Sequence, residues 1–290
     1  MYILVKLNCL PEKRYIIKNS LQSACSYNFS TISHNELTCK LNPYYVAGFV
    51  PNIPEKQYNL ICFVDGEPIM AIVVWGTNLL SMVGIGRITK QESNMIQLPS
   101  YPYSVVIGLL LSDGWLTFSN SRNKNARLGF LQSGANSNYV WYVFNILSPY
   151  CSSYPIYRTR KYLGKFNSSL HFFTRALPCF TDLHSLFYPK GIKIIPNNIY
   201  DLLTPVVLSH LVMGDAVAKE YGIIICTDSY TIPDIVRLIN VLIIKYRLDC
   251  RLRYHTPTQP RIYIRERSMS TLRDIIKPFI IKSMLYKIGS

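Results

Sequence analysis

Two aspartates stand at the ends of apolar runs. Asp113 follows the run 105–111, and Asp215 closes the run 206–215. Either acid alone would be interpreted as an ordinary turn residue. Paired carboxylates, however, bind hard divalent cations, and metal ions that bridge an attacking water and a leaving oxygen hydrolyse phosphodiesters. If both runs are helices packed side by side, the acids meet and predict a site for Mg²⁺, or for Mn²⁺ in its place.

Small residues inside the two runs would let the helices approach closely. Gly108 and Ser112 lie four residues apart in the first run, as do His210 and Gly214 in the second, so each pair shares one helical face. Packing along these faces would set the two acids side by side. Like charges resist that arrangement unless divalent cations lie between them.

The elements around each acid occur twice in the same order. Apolar periodic runs alternate with short aromatic or β-branched runs and turn residues, which predicts helix, strand, strand, helix, strand, strand, helix. The predicted helices are 105–111, 138–147, 180–187, 206–215, 233–246 and 268–276, and the predicted strands are 115–118, 127–131, 154–162, 166–174, 222–226, 250–254 and 261–265.

The acids are 102 residues apart (215 − 113), room for one such unit. We therefore predict an α+β protein of two pseudo-symmetric halves, residues 70–195 and 196–290, behind an N-terminal extension of unknown role at residues 1–69. Two similar halves in one chain imply a monomer that is a pseudo-dimer.

The charge balance points to a polyanionic partner. Lys and Arg number 31 against 16 Asp and Glu, a formal net charge of +15. The basic residues are spread through strand-like segments and do not line one helix face, which favours nucleic acid over a membrane surface. Polar residues interrupt the apolar stretch 69–85, so we expect no membrane segment, and no signal peptide is evident. The eight cysteines form no CxxC pair and show no zinc-ligand spacing, which predicts free thiols.

Residues 106–114, Val-Ile-Gly-Leu-Leu-Leu-Ser-Asp-Gly, resemble position by position the signature of the LAGLIDADG homing endonucleases. Residues 208–216, Leu-Ser-His-Leu-Val-Met-Gly-Asp-Ala, resemble it more loosely, with histidine at the interior glycine position. Segments such as 193–196 and 283–287 extend the similarity over about residues 70–288. The chain is most similar in these segments to members encoded in fungal mitochondrial group I introns.

The resemblance implies a saddle of two curved antiparallel sheets that face the major groove of DNA, with the motif helices packed at its centre. It also implies cleavage of both strands across the minor groove, a long asymmetric target in double-stranded DNA, and a mitochondrial location. We expect metal ions to be bound by Asp113, Asp215, Gly114 and Ala216.

Family members also place a polar residue beside the metal at the end of the second strand of each half, and basic residues near the scissile phosphate. By position, Gln132 and Thr227 would have the first role, and Arg175 and Arg267 the second. Ordinary strand-end polarity is the competing interpretation of all four.

A sheet that faces DNA needs long hydrogen-bond donors along its strands. Basic residues are frequent in the predicted strands and turns of both halves, and contacts to phosphate are more common than base contacts for any one of them. The candidates are Arg122, Lys124, Arg127, Arg158, Arg160, Lys161 and Lys165 in the first half, and Lys219, Arg251, Arg253, Arg261 and Arg265 in the second.

The second motif departs from the signature in two places. Ala216 replaces the closing glycine, and a left-handed conformation there would cost a non-glycine residue about 1 kcal/mol. His210 must fit between the helices or lie at their edge. The leading hypothesis is a site-specific, metal-dependent endonuclease that promotes intron homing. The alternatives are an RNA maturase that binds its group I intron RNA without needing the acids, and a DNA-binding relic without catalysis.

Overall fold

The computed structural model describes residues 2–5, 15–18, 60–64, 67–71, 79–119, 124–162 and 165–289. The chain divides into two compact units, residues 1–55 and 56–290. In the first unit, β1 (Tyr2–Val5) pairs antiparallel with β2 (Tyr15–Lys18). In the second unit, β3 (Leu60–Val64) and β4 (Glu67–Ala71) form an antiparallel pair ahead of the two halves. The predicted division of the chain at residue 69 stays a prediction.

The first half is built around a four-stranded antiparallel sheet. Its helices are α1 (Lys90–Met95), α2 (Ser100–Leu111), α3 (Ser137–Leu147) and α4 (Pro178–Phe187), and its strands are β5 (Trp115–Phe118), β6 (Ala126–Ser133), β7 (Ile156–Tyr162) and β8 (Lys165–Phe173). The strand order is β5-β6-β8-β7.

The second half repeats this plan. Its helices are α5 (Ile199–Leu202), α6 (Pro205–Asp215), α7 (Ile232–Tyr246) and α8 (Met269–Ile276), and its strands are β9 (Ala216–Lys219), β10 (Gly222–Ile225), β11 (Cys250–Thr256) and β12 (Gln259–Arg265). The strand order β11-β12-β10-β9 matches that of the first sheet read in reverse. The two predicted αββαββα halves are confirmed, and the chain continues through a 3₁₀ segment, Lys282–Ile288.

Each sheet buries one face, because its strands alternate apolar and polar side chains. In β12, Pro260, Ile262 and Ile264 are buried, whereas the intervening residues are half-buried on the other face. A strand covered on one side only shows this period of two. The helices therefore cover one face of each sheet and leave the other open.

The helices α2 and α6, called the motif helices below, pack against each other at the centre of the second unit. Their mid-portions are predominantly apolar and are buried on all sides, from Ser104 to Leu111 and from Val206 to Met213. No helix in the described part of the chain is both long and apolar enough to span a bilayer.

Two local expectations need correction. The strand β9 directly after the second acid was not among the predicted elements, because Ala216–Lys219 is short and carries no strong alternation. The predicted turn 255–260 is shorter than expected, since β11 extends to Thr256 and β12 begins at Gln259, with a bulge near Tyr254.

Candidate metal centre and basic sheet faces

The motif helices meet along a seam in which glycine faces a larger residue. A Cβ added to Gly108 would lie 2.5 Å from His210 Cβ, and one added to Gly214 would lie 2.6 Å from Ser112 Cβ. Both distances are too short for real carbon atoms. Each glycine thus permits a close approach that a side chain would prevent.

His210 is enclosed in this seam and is fully buried. Its Nδ1 lies 2.9 Å from the Tyr139 hydroxyl, and its ring stacks on Tyr139 and Tyr142 with centroid distances of 5.8 and 6.2 Å. Burial lowers the pKa of His210 to about 3, so the imidazole is neutral. The histidine therefore fits between the helices because Gly108 faces it.

The two acids meet at the ends of the motif helices. Asp113 Oδ2 lies 3.1 Å from the position that a Cβ on Gly214 would take, so the first carboxylate abuts the residue before Asp215. Burial, followed by the negative charge of Asp113, raises the pKa of Asp215 to about 7. A raised pKa is expected for one of two carboxyl groups that lie close together with no cation between them.

Gln132 lies beside the first acid, as predicted from its position. Its Nε2 donates a hydrogen bond to Asp113 Oδ2 at 2.5 Å, and its Oε1 accepts one from Asn136 Nδ2 at 3.1 Å. The amide is therefore oriented on both sides, with its donor directed at the carboxylate. This contact fixes the orientation of one member of the acid pair.

The residue equivalent to Gln132 in the second half makes a different hydrogen bond. Register makes Thr227 the counterpart of Gln132, because Trp115 pairs with Gly129 as Val217 pairs with Ile224. The Thr227 hydroxyl, however, is buried and donates to the Pro260 carbonyl at 2.7 Å. Thr227 thus adjoins the strand end and does not donate to Asp215.

Two lysines flank the acid pair symmetrically. Lys193 Nζ donates to the carbonyls of Ser112 and Gly114, at 3.1 and 3.0 Å. Lys287 Nζ donates to those of Gly214 and Ala216, at 3.1 and 2.8 Å. Each ammonium group therefore bridges the residues immediately before and after one acid.

Burial governs the charge state of these lysines. It lowers the pKa of Lys193 to about 8 and the pKa of Lys287 below its usual range, while Asp113 and Asp215 oppose the shift in both cases. The carbonyls of Gly114 and Ala216, which were predicted to ligate metal, are engaged by these ammonium groups. Their metal-binding role would require the lysines to give way and stays a prediction.

The two arginines predicted near the scissile phosphate point elsewhere. The Arg175 guanidinium donates to the carbonyls of Gly86, Met82 and Ile85 at 2.6–3.2 Å. Arg267 is 71% exposed and pairs with Asp249 at 2.7 Å. Sequence adjacency to a closing helix suggested these arginines, but the lysines provide the positive charge beside the acids.

The expected strain at Ala216 is also wrong. Ala216 has φ −86° and ψ 148°, an extended conformation open to any residue. Gly114 is not in the left-handed region either. Its Cβ would instead lie 2.9 Å from the Leu109 carbonyl carbon, so the first motif needs glycine for lack of space and not for a positive φ.

A divalent cation fits this donor set. The described residues contain no group of three or more His, Cys, Asp or Glu side chains suited to a metal, so the protein offers the two carboxylates. Mg²⁺ commonly binds through one or two carboxylates and completes its shell with water and substrate phosphate. The raised pKa of Asp215 also indicates an uncompensated pair of acids that cations would relieve.

Basic residues collect on the open face of each sheet. Strand register aligns Arg127, Arg158 and Arg160 on one face of the first sheet. It aligns five predicted residues on one face of the second sheet, namely Lys219, Arg251, Arg253, Arg261 and Arg265. The donors needed along a nucleic-acid-facing sheet are thus present in both halves.

Four further residues were predicted to contact DNA. Lys161 is on the opposite side of β7, with its Nζ 5.7 Å from the centre of the Phe166 ring. Lys124 is exposed just before β6. Lys165 pairs with Tyr162 at the end of the β7–β8 hairpin. Arg122 lies outside the described residues.

Some of the open-face arginines are held by acids and others are not. Arg261 makes two hydrogen bonds to Asp228, at 3.0 and 2.9 Å, and Arg265 pairs with Asp249 at 3.2 Å. Among the described residues, no acid forms an ion pair with Arg158, Arg160, Arg251 or Arg253. These four side chains keep their charge available for a polyanion.

A model of the LAGLIDADG DNA endonuclease family matches residues 103–272, more than half of the chain. The chain belongs to this family. The matched region contains both four-stranded sheets, the second LAGLIDADG motif helix, and the first one from Tyr103 onward. It ends before Lys287, which approaches the second acid from the last turns of the described chain.

Curated LAGLIDADG relatives include proteins with two kinds of name. The cytochrome b mRNA maturase bI2 of Saccharomyces cerevisiae is 29% identical over 72% of this chain, and the chain spans about half (52%) of that relative's length. The DNA endonuclease I-ChuI of Chlamydomonas applanata is 26% identical over 64% of this chain and 93% of its own length.

Among solved structures, the homing endonuclease I-WcaI bound to its DNA recognition sequence has a similar fold. The TM-score is 0.64 at 24% sequence identity, over 71% of this chain and 95% of that one. This likeness supports the arrangement of two αββαββα halves around the motif helices.

Proposed function

We propose that the protein is a site-specific endonuclease that cuts both strands of DNA with divalent metal ions, Mg²⁺ or Mn²⁺, and so promotes homing of its own intron. The observation that carries this proposal is the approach of Asp113 and Asp215 at the ends of two packed helices, between two basic sheet faces. A maturase has no need of such a pair.

The residues around the pair suit phosphodiester hydrolysis. When bound, Mg²⁺ would activate a water molecule and offset charge on the leaving oxygen. Asp113 and Asp215 would hold the cations, and Gln132 would keep Asp113 oriented. Lys193 and Lys287 set positive charge beside the acids, where negative charge develops on the phosphate during cleavage.

The open sheet faces would recognise a long target in double-stranded DNA. Two faces with different side chains suit an asymmetric sequence, and two halves within one chain suit a monomeric enzyme. Arginines without acidic partners would contact phosphates and guanine edges. By family resemblance, the enzyme would act in the mitochondrion.

A direct test uses a DNA duplex containing the intron insertion site without the intron. Wild-type protein with Mg²⁺ should cut both strands, whereas Asp113→Asn and Asp215→Asn should still bind the duplex and leave it intact. The exposed Asp182 lies on α4, and Asp182→Asn is the matched control that should cut normally.

Maturase activity is the second candidate, because two relatives carry that name, from Saccharomyces cerevisiae and Debaryomyces hansenii. The same assay separates the two functions when it is paired with splicing of the precursor RNA. Tight binding to the intron RNA and faster splicing, without any cut in the DNA duplex, would replace the endonuclease proposal with this one.

A further inference from the structure

A row of three uncharged side chains crosses the open face of the first sheet. Strand register sets Leu131 opposite His171, and His171 opposite Ile156. Leu131 and Ile156 are 42% and 49% exposed. The row lies on the same face as Arg158 and Arg160, which follow Ile156 at intervals of two along β7.

These exposed side chains do not belong to the hydrophobic core. The other face of the same strands carries the core residues Phe130, Leu170 and Phe172, all buried. Between the two exposed residues lies His171, which is 3% exposed. Burial, followed by the charge of Arg158, lowers the pKa of His171, so the imidazole is neutral. The row thus presents an apolar surface within a basic face.

Within the row, Leu131 lies closest to the acids. Leu131 directly precedes Gln132, whose side chain extends from the other face of β6 to Asp113. Arg158 and Arg160 lie further along β7, toward the end of its hairpin with β8. Along β7, the open face therefore changes from apolar at Ile156 to basic at Arg158 and Arg160.

We propose that Leu131 and Ile156 recognise the methyl groups of thymines in the major groove, in the part of the first half-site that adjoins the cleavage centre. The thymine C5-methyl is the apolar group that the edges of unmodified base pairs present in that groove. Continuity with the basic face makes DNA the occupant of this surface. This inference rests on the proposed function and specifies part of its target.

The row also distinguishes DNA from RNA. Uracil has no C5-methyl, and the major groove of an RNA helix is too deep and narrow for side chains to read. Leu131 and Ile156 therefore contribute to binding of a DNA duplex and offer no matching contact to an RNA duplex.

The test uses the full chain carrying Asp215→Asn, which would bind without cutting, and a pool of randomised DNA duplexes. Sequences enriched by binding should contain thymine at fixed positions on the first-half side of the cleavage centre. Replacing those thymines by deoxyuracil should weaken binding about fourfold for each buried methyl. Adding Leu131→Ala and Ile156→Ala should abolish this difference between thymine and deoxyuracil.

A matched control is Val217→Ala, which trims a side chain that is 45% exposed on the open face of the second sheet. This variant should keep the discrimination in the first half-site. If DNA sequences are enriched but thymine and deoxyuracil bind equally, or the alanine variants still discriminate, this inference is overturned while the endonuclease proposal stands. If no DNA sequence is enriched at all, both fail.

Discussion

Gly108 and His210 touch across the motif helices at a distance that leaves no room for another carbon atom. A Cβ on Gly108 would come within 2.5 Å of His210 Cβ and 2.9 Å of the Val207 carbonyl oxygen. The backbone of the first motif helix at Gly108 therefore packs directly against His210, the largest polar residue of the second.

The first prediction concerns this contact. Gly108→Ala should lower the free energy of unfolding by about 1–3 kcal/mol, because a methyl group must be forced between two packed helices. Denaturant titration followed by circular dichroism measures the change. Gly86→Ala is the control, since nothing lies within 4 Å of its added Cβ. Equal stabilities for the two variants would contradict the packing described here.

The second prediction follows from the buried imidazole. Burial lowers the pKa of His210 from 6.5 to about 3, so below pH 6.5 the unfolded chain takes up a proton that the folded chain does not. This residue's contribution to stability is therefore present above pH 6.5 and is lost as the pH falls, by about 1.4 kcal/mol per unit.

Unfolding titrations between pH 7 and 4 test this sign. His210→Gln removes the titrating group, so its free energy of unfolding should fall less steeply with decreasing pH than that of wild type. Comparing the two proteins cancels the other groups that titrate in the same range. Parallel curves would show that His210 takes up its proton equally in the folded and unfolded states, and that its pKa is not lowered by burial.

The third prediction assigns the positive charge beside the acids. Lys193→Met should slow DNA cleavage about a hundredfold under single-turnover conditions, because an ammonium group next to the scissile phosphate is removed. DNA affinity should change little. Lys190→Met, which alters an exposed lysine three residues away, should cut at the wild-type rate. Arg267→Met should also retain cleavage, given its exposed pairing with Asp249.

The charge state of Lys193 adds a pH signature to this prediction. Its pKa is lowered to about 8 by burial, so the ammonium group is present below pH 8 and lost above it. The cleavage rate should therefore decline as the pH rises past about 8. In Lys193→Arg, whose guanidinium stays charged, the decline should move to higher pH.

The fourth prediction concerns the unequal strand ends. Gln132→Leu removes the donor to Asp113 and should slow cutting of one DNA strand about tenfold, so nicked duplex should accumulate. Thr227→Val should leave both cutting rates unchanged and lower stability by about 1–3 kcal/mol, because the Pro260 carbonyl loses its buried donor. Strands labelled separately at each end reveal the nick; equal slowing of both strands would contradict a role confined to Asp113.

The sequence predicts the framework of the fold well, since the signals are local. The strand Trp115–Phe118 has the predicted bounds, and helix α3 begins within one residue of its predicted start. Both motif helices are predominantly apolar and buried on every side, as expected for elements at the centre of a protein. The meeting of Asp113 and Asp215 follows from these helices and from the small residues in their seam.

The charged surroundings of the site are harder to predict. Lys193 lies 80 residues beyond Asp113 (193 − 113) in a stretch without regular structure, so no periodicity connects them. Arg175 lies closer in sequence, yet its guanidinium is held by carbonyls of residues 82–86. Similarity to the family in the segments that contain Lys193 and Lys287 was the one signal for these two lysines.

Strand parity could have improved the predicted basic face. Arg158 and Arg160 are two residues apart and share a face, whereas Lys161 must lie on the opposite one. Thr227 shows what strand parity cannot predict. Its place at the strand end was predicted correctly, but its hydrogen-bond partner, the Pro260 carbonyl, belongs to a strand 33 residues away.

The seam between the motif helices also dictates which halves can pair. Each contact joins a glycine of one helix to a larger residue of the other, Gly108 with His210 and Gly214 with Ser112. A second half paired with its own copy would force histidine against histidine, and a first half paired with its copy would set Ser112 against Ser112, where the structure has room only for glycine. The two halves are thus complementary to each other and not to themselves, so separately expressed halves should associate with each other in preference to forming symmetric dimers.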